Sequence, residues 1–187
     1  MKPEKFIEKA KGYLPTATLE QAGTFYKNLL EKSYDPNIIR ELVKIDRWFL
    51  LVILLNRKDA VHPWLYDRCR EVEKNPDGHL DLWARGHYKS TIITYAGTIQ
   101  EILKDPNITI GIFSHTRPIA KGFLKQIKRE FEINDFLRDL FPEICYQNPR
   151  QDSPQWSEDS GIIVNRKSNP KEATVEAWGL VDGQPIS

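Results

Sequence analysis

Residues 79–93 read His79-Leu80-Asp81-Leu82-Trp83-Ala84-Arg85-Gly86-His87-Tyr88-Lys89-Ser90-Thr91-Ile92-Ile93, and their period changes partway along. His79–Ala84 reads as a strand. Arg85–Tyr88 reads as a short turn. Lys89 then opens a stretch with Ile92, Ile93, Ala96, Ile99, Ile102 and Leu103 at helical spacing. Asn75-Pro76-Asp77-Gly78 is a strong turn signal in front of this unit, and Pro106-Asn107 breaks the helix behind it. Ile108–Phe113 follows as a second, buried strand, and Ser114-His115-Thr116 leads into a helix ending near Phe131. Strand, loop, helix, strand, helix is the order of a βαβ unit with a parallel sheet. The expected fold class is therefore α/β, a mostly parallel sheet of P-loop NTPase type flanked by helices.

The chain upstream reads as helical. Phe6, Ile7 and Ala10 share a face, and Gly12 and Pro15 end that segment. Thr18 and Gln21 have capping-box spacing before a helix carrying Leu19, Ala22, Phe25, Tyr26, Leu29 and Leu30. Asp35-Pro36 opens a third helix with Ile38, Ile39, Leu42 and Val43, which runs into the apolar stretch Trp48–Leu55, a buried helix or a core strand. His62-Pro63-Trp64 starts another helix through Tyr66, Cys69 and Val72. Downstream, 148–159 is a polar loop, and Gly161–Val164 and Ala173–Trp178 suggest a hairpin or two adjacent strands. The expected division is a helical region, 1–60, and a partial nucleotide-binding core, 61–187.

Composition narrows the function classes. With 27 Lys and Arg against 26 Asp and Glu in 187 residues, the net charge is +1, which excludes a histone-like arm but not a local basic patch. Five Trp, seven Tyr and eight Phe supply enough large apolar surface for a core. Two distant cysteines, Cys69 and Cys145, make neither a disulfide framework nor a Cys-based zinc site. The first residues are too charged for a signal peptide, and Trp48–Leu55 is far short of the roughly 20 residues a bilayer span needs. A soluble, intracellular protein is expected.

The turn at 85–91 has the parts of a phosphate site. Helix N-termini present unpaired N–H groups and about half a positive charge. Lys89 supplies a mobile cation for outer phosphates, and the Ser90 hydroxyl can ligate Mg²⁺. The strict pattern G-x-x-x-x-G-K-[ST] is broken twice, by Trp83 at the first glycine and Tyr88 at the second. Glycine serves there because backbone approaches phosphate closely or takes positive φ. Tyr88 must accept strain or a different path, with Gly86 as a source of freedom.

Leu82–Ile93 resembles the deviant Walker A region of the large terminase subunits of tailed phages, the ATPases of the DNA-packaging motor. Arg85 stands four residues before Lys89, as an arginine often does in that family. Ile110–Thr116 with Ala120 resembles the strand and helix that follow, and Trp156-Ser157, Ile162–Val164 and Ala173–Gly179 resemble the strand pair before the Walker B strand. The resemblance covers roughly residues 60 to 187. It implies ATP and Mg²⁺ as cofactors, with ATP-binding by Arg85, Gly86, His87, Tyr88, Lys89, Ser90 and Thr91. It implies Lys89 at the outer phosphates, Arg85 as a switching or charge-stabilising group, and Ser90 or Thr91 at the metal. It also implies double-stranded DNA, a portal protein, a small terminase subunit and self-association into a ring as partners, in the cytoplasm of a bacterial host and without a membrane role. No apolar run ending in two acids follows, and the family places that strand just beyond residue 187. The expectation is an incomplete core, with weak nucleotide binding and little hydrolysis by this chain alone. The alternatives are a helicase-like P-loop translocase, or a non-enzymatic helical interaction protein with a vestigial loop.

Other residues read less sharply. Arg117, Lys121, Lys125, Lys128 and Arg129 form a basic stripe opposite Ile119, Phe123, Leu124, Ile127 and Phe131. It reads first as a solvated face and second as a DNA-phosphate contact. His87 and His115 each follow an expected strand and would share one end of a parallel sheet. His62, Trp64 and Tyr66 read as core aromatics or as base contacts. The four histidines His62, His79, His87 and His115 lack zinc-ligand spacing. Asp152, Glu158 and Asp159 read as solvated loop acids.

Overall fold

Local capping chemistry sets the helix starts. Thr18 and Gln21 close their box reciprocally: the Thr18 N–H donates to Gln21 Oε1 at 2.9 Å and the Gln21 N–H to Thr18 Oγ1 at 3.3 Å. The Asp35 carboxylate accepts from the Asn37 N–H, with Pro36 in the first turn. His62 Nδ1 accepts from the Trp64 N–H at 3.2 Å. The computed structural model describes residues 3–32, 35–75, 77–78 and 80–181, so His79 lies outside the described residues. The chain divides into two compact units, Met1–Ile92 and Ile93–Ser187.

The first unit is helical: α1 (Pro3–Tyr13), α2 (Leu19–Lys32), α3 (Pro36–Ile45), α4 (Arg47–Phe49) and α5 (Pro63–Lys74). The apolar stretch at 48–55 is helix, not strand: α4 runs on into a π-helical turn, Leu50–Leu54. Phe49, Leu50 and Leu51 are wholly buried, as are Ala10, Ala22, Leu42 and Val43. Tyr26 packs its ring 4.4 Å from that of Phe49, and the Trp48 indole donates to the Ala60 carbonyl at 2.9 Å.

A buried polar network ties α2, α4 and α5 together. Asp46 caps α4 by accepting from the Phe49 N–H at 2.8 Å. The same carboxylate accepts from the Tyr26 hydroxyl and from Arg70. Arg70 also donates to Glu73 at 2.7 Å, and Glu73 accepts from the Arg47 N–H. Each charge in this apolar setting has a partner, as burial demands. Burial, then the nearby Asp46 charge, holds the Glu73 carboxyl above its ordinary range. Burial would lower the Arg70 guanidinium, but Asp46 and Glu73 outweigh it and keep it charged.

Residues 80–84 depart from the strand expected there. They carry no strand pairing, and Leu80 and Leu82 are 78% and 82% exposed. Trp83 explains the direction: its ring meets that of Trp64 edge-on at 5.6 Å, so this side of the segment faces α5 and the flanking leucines turn outward.

The second unit holds α6 (Thr98–Lys104), β1 (Ile110–Ser114), α7 (Arg117–Ile133), α8 (Asp135–Leu140), α9 (Pro149–Asp152), β2 (Trp156–Ser157), β3 (Gly161–Ile162) and β4 (Val175–Gly179). The strand order is β1-β4-β3-β2. Among the described residues only β1 and β4 pair in parallel, in register from Ile110↔Val175 to Ser114↔Gly179. β4 with β3, and β3 with β2, are antiparallel. The expected mostly parallel P-loop NTPase sheet is thus overturned: helix predominates, and the sheet is small and mixed. Connection length gives the reason. The long connection through α7 allows β1 and β4 to run parallel, whereas the short return 158–160 sets β2 and β3 antiparallel, and the longer stretch 163–174 brings β4 back antiparallel to β3.

Gly161 sits where β3 meets β4, with φ of 99° and a Cβ position 2.6 Å from the Val175 carbonyl oxygen, so only glycine fits. The runs expected as strands at 161–164 and 173–178 contain β3 and most of β4, which are adjacent as expected and pair at Ile162↔Val175. α7 packs Ala120, Leu124, Ile127 and Phe131 inward, whereas Ile119, placed on the apolar face by its spacing, is 52% exposed. No helix among the described residues is long and apolar enough to cross a membrane.

Candidate functional site

The turn at 85–88 lies wholly within the first unit. Gly86 takes φ of 83° and Tyr88 takes φ of 62°. Tyr88 therefore accepts the left-handed conformation that glycine supplies in the strict pattern, and Gly86 provides a second left-handed step. That conformation costs about 1–2 kcal/mol for a residue with a Cβ. Strain of this kind persists only where neighbours hold it.

Helical backbone begins at once beyond the turn. Lys89 and Ser90 are α-helical, Thr91–Gly97 widens to π, and the helix continues as α6. The Ile92 N–H donates to the Tyr88 carbonyl at 2.9 Å, which fixes this start. The first-turn N–H groups at 88–91 have no preceding turn to bond to. π-helical turns occur often beside functional sites because they reset the facing of side chains.

A pocket of about 490 Å³ opens over this turn, lined by Arg57, Trp83, Ala84, Arg85, Gly86, His87, Tyr88, Lys89, Ser90 and Thr91. All seven residues 85–91 expected to bind nucleotide line it. Lys89, Ser90 and Thr91 are half-buried, whereas Arg85, Gly86 and His87 are exposed. Three cations, Arg57, Arg85 and Lys89, meet the hydroxyls of Tyr88, Ser90 and Thr91 there, and the lining has no carboxylate. That donor set suits an anion carrying several phosphate oxygens. For Mg²⁺ the lining offers hydroxyls, with Ser90 the one at P-loop spacing from Lys89.

Aromatic side chains frame one side. Trp64 meets Trp83 at 5.6 Å and the His87 ring at 5.5 Å, both edge-on, and the Arg68 guanidinium lies 5.7 Å from the Trp64 ring. His87 Nδ1 is 3.2 Å from the Arg85 carbonyl. Of the three aromatic candidates upstream, only Trp64 reaches the loop. Tyr66 is core, with its hydroxyl donating to the Ala17 carbonyl at 2.9 Å, and His62 caps α5. His87 does not follow a strand, so the expected sharing of a sheet end with His115 fails at its first premise.

Arg57 is the residue that sequence reasoning missed. It stands 31 positions before Tyr88 and belongs to no motif, yet its Nη2 donates to the Tyr88 hydroxyl at 3.1 Å. It also grips Asp59 through Nε and Nη2 at 3.2 and 3.0 Å.

Two cations of the basic stripe of α7, Lys121 and Lys128, are ion-paired within its own unit, and Arg117 is bonded there to a loop carbonyl. Arg117 donates to the Asp159 carbonyl and Lys121 pairs with Asp159 Oδ1, each at 2.6 Å. Lys128 pairs with Glu158 at 2.7 Å and with Glu132 at 3.6 Å. The Lys128 hydrogen bond, with the Lys125 charge nearby, holds the Glu158 carboxyl below its usual range, and Lys121 does the same for Asp159. Both loop acids are counter-charges of the stripe, and Asp159 is at the same time solvated, as expected, with its side chain 78% exposed. Asp152 instead accepts from the Asn148 N–H at 2.9 Å at the start of α9.

Cys69 and Cys145 are buried free thiols, and burial pushes Cys145 up to about 12, so neither is a nucleophile at neutral pH. No group of three or more His, Cys, Asp or Glu able to hold a metal ion occurs among the described residues. Comparison of the chain with models of protein families, with curated proteins and with solved structures finds no match.

Proposed function

We propose that the 83–91 turn binds the phosphate tail of a nucleotide, ATP with Mg²⁺, and that the chain is the ATP-binding part of a phage DNA-packaging motor of the large-terminase kind. One observation carries the binding step: Tyr88 holds the left-handed backbone of a glycine at the position just before Lys89, on the rim of an open cationic pocket. Backbone N–H groups at the helix start and the Lys89 ammonium then converge on one anion. The motor assignment rests on the likeness of Leu82–Ile93 to the deviant Walker A sequence, with Arg85 four residues before Lys89.

In this reading Lys89 neutralises the outer phosphates, Arg85 adds charge from the exposed rim, and the Ser90 hydroxyl reaches the metal. Bound Mg²⁺ would draw charge from the phosphate oxygens. Trp64 and Trp83 offer ring surface to a base. Phosphoryl transfer also needs an acid to orient water and hold metal. The lining supplies none, so binding with very slow turnover is the expected behaviour of residues 1–187. Double-stranded DNA, a portal ring, a small terminase subunit and other copies of the chain are the partners of such a motor, which works in the cytoplasm of a bacterial host.

A second reading, a helical interaction protein whose phosphate loop is vestigial, draws support from segment 80–84, which joins no sheet and exposes Leu80 and Leu82. Calorimetric titration with Mg·ATP separates the two. Saturable binding that Lys89→Ala weakens by tenfold or more supports the nucleotide site. Absence of binding to the unaltered chain leaves the interaction protein.

A further inference from the structure

We infer that Arg57 is a phosphate-binding cation of this same site, held beside the loop by Tyr88 and occupied by Asp59 until phosphate displaces it. The inference rests on the reading of residues 83–91 as a phosphate site, and it adds to that site a residue from the helical segment upstream.

The backbone of Arg57 is anchored. The π-helical turn ahead of it closes with the Leu55 N–H on the Leu50 carbonyl at 3.0 Å, and Asn56 takes φ of 51° to end the helix. The Arg57 N–H then returns to the Leu51 carbonyl and the Ala60 N–H to the Arg57 carbonyl, both at 2.9 Å. A helix end locked in this way aims one long side chain at the pocket wall, where Arg57 stands among the loop residues. Its guanidinium carbon is 5.3 Å from the centre of the Tyr88 ring, and Nη2 reaches the hydroxyl of that ring. Tyr88 is the residue that immediately precedes Lys89, so Arg57 and Lys89 flank one turn of chain.

The Asp59 pair shows what the fork is suited to hold. Asp59 engages Nε and Nη2 as a two-point carboxylate, and a phosphate presents the same two-oxygen edge. The side chain of Asp59 is 52% exposed and that of Arg57 29%, so the pair is wet and weak enough to exchange. A phosphate already held by Lys89 and the first-turn amides adds charge that one carboxylate lacks. Phosphate and Asp59 therefore compete for Arg57, and Tyr88 keeps the fork beside the loop while they do.

The test is calorimetric titration of the whole chain with Mg·ATP, using unaltered protein, Arg57→Ala, Arg57→Lys and Asp59→Asn, each checked for an unchanged thermal unfolding curve. Loss of one charge-assisted contact predicts about tenfold weaker binding in Arg57→Ala, and less in Arg57→Lys. Asp59→Asn removes the competitor and predicts binding tightened by about threefold. A purely structural role for Arg57 predicts the opposite for Asp59→Asn, since losing the anchor would weaken binding as well. The inference is overturned by Arg57→Ala within twofold of the unaltered chain, or by weaker binding in Asp59→Asn. No binding to the unaltered protein overturns the nucleotide reading itself, and that result shows before any variant is compared.

Discussion

Gly86 and Tyr88 hold left-handed backbone on either side of His87, at φ of 83° and 62°. For Gly86 this costs nothing, whereas Tyr88 gives up about 1–2 kcal/mol. Its hydroxyl contact with Arg57 returns about 1 kcal/mol. Tyr88→Gly removes both terms and should leave stability within about 1 kcal/mol of the parent. Tyr88→Ala keeps the strain and loses the contact, and should be less stable than Tyr88→Gly by about 1 kcal/mol. Urea unfolding of the three proteins decides it. Equal stability of the alanine and glycine variants would show that residue 88 is not left-handed.

Asp46 accepts from Tyr26, Arg70 and the Phe49 N–H while wholly buried. Removing one member of a buried pair leaves the other charge stranded, at a cost of about 3–5 kcal/mol. Asp46→Ala should therefore lose stability on that scale, with Glu73 still bonded to Arg70 holding the cost toward the lower end. A loss below about 1 kcal/mol would mean that the network does not form.

Glu158 and Asp159 give α7 a pH signature. Both carboxyls are held below their ordinary range by lysine partners, so the folded state binds protons less readily than the unfolded chain. Their contribution is complete above the unfolded pKa values of about 4 and is lost as pH falls through the lowered folded values. The Glu158→Gln/Asp159→Asn double variant should lose that part of the acid dependence of its unfolding midpoint. An acid limb identical to the parent's below about pH 4 would remove the ion pairs from the account.

The same acids bear on DNA. If the stripe contacts DNA phosphates, neutralising Glu158 and Asp159 frees Lys121 and Lys128. The double variant should then bind duplex DNA more tightly and with a steeper salt dependence. Charge reversal at Arg117, Lys121 and Lys125 should flatten that dependence. A salt slope that neither change moves leaves the stripe as a solvated, internally paired face.

What could be read beforehand follows the range of the interactions. Capping at Thr18 and Asp35, the helix after His62, β1 and the adjacency of β3 and β4 rest on neighbours in sequence, and all were legible. The turn at 85–88 and the helix that starts at Lys89 were legible because Gly86 and the apolar period from Ile92 onward lie beside them. Residues 80–84 misled because a short apolar run does not name its partner: Trp83 found Trp64 instead of a neighbouring strand. The parallel sheet failed for a related reason, since pairing depends on connections after residue 133 that carry no period of their own. Arg57 and the pairing of α7 with Glu158 and Asp159 join residues 30 or more positions apart and left no local mark.

Backbone amide resonances report most directly on whether phosphate sits on the turn. In ¹⁵N-labelled protein titrated with Mg·ATP, the N–H groups of Gly86 through Thr91 should shift downfield together and saturate, and adenosine at the same concentration should leave them in place. Shifts that cluster elsewhere in the chain, or that adenosine reproduces at 86–91, would contradict a phosphate held by this loop.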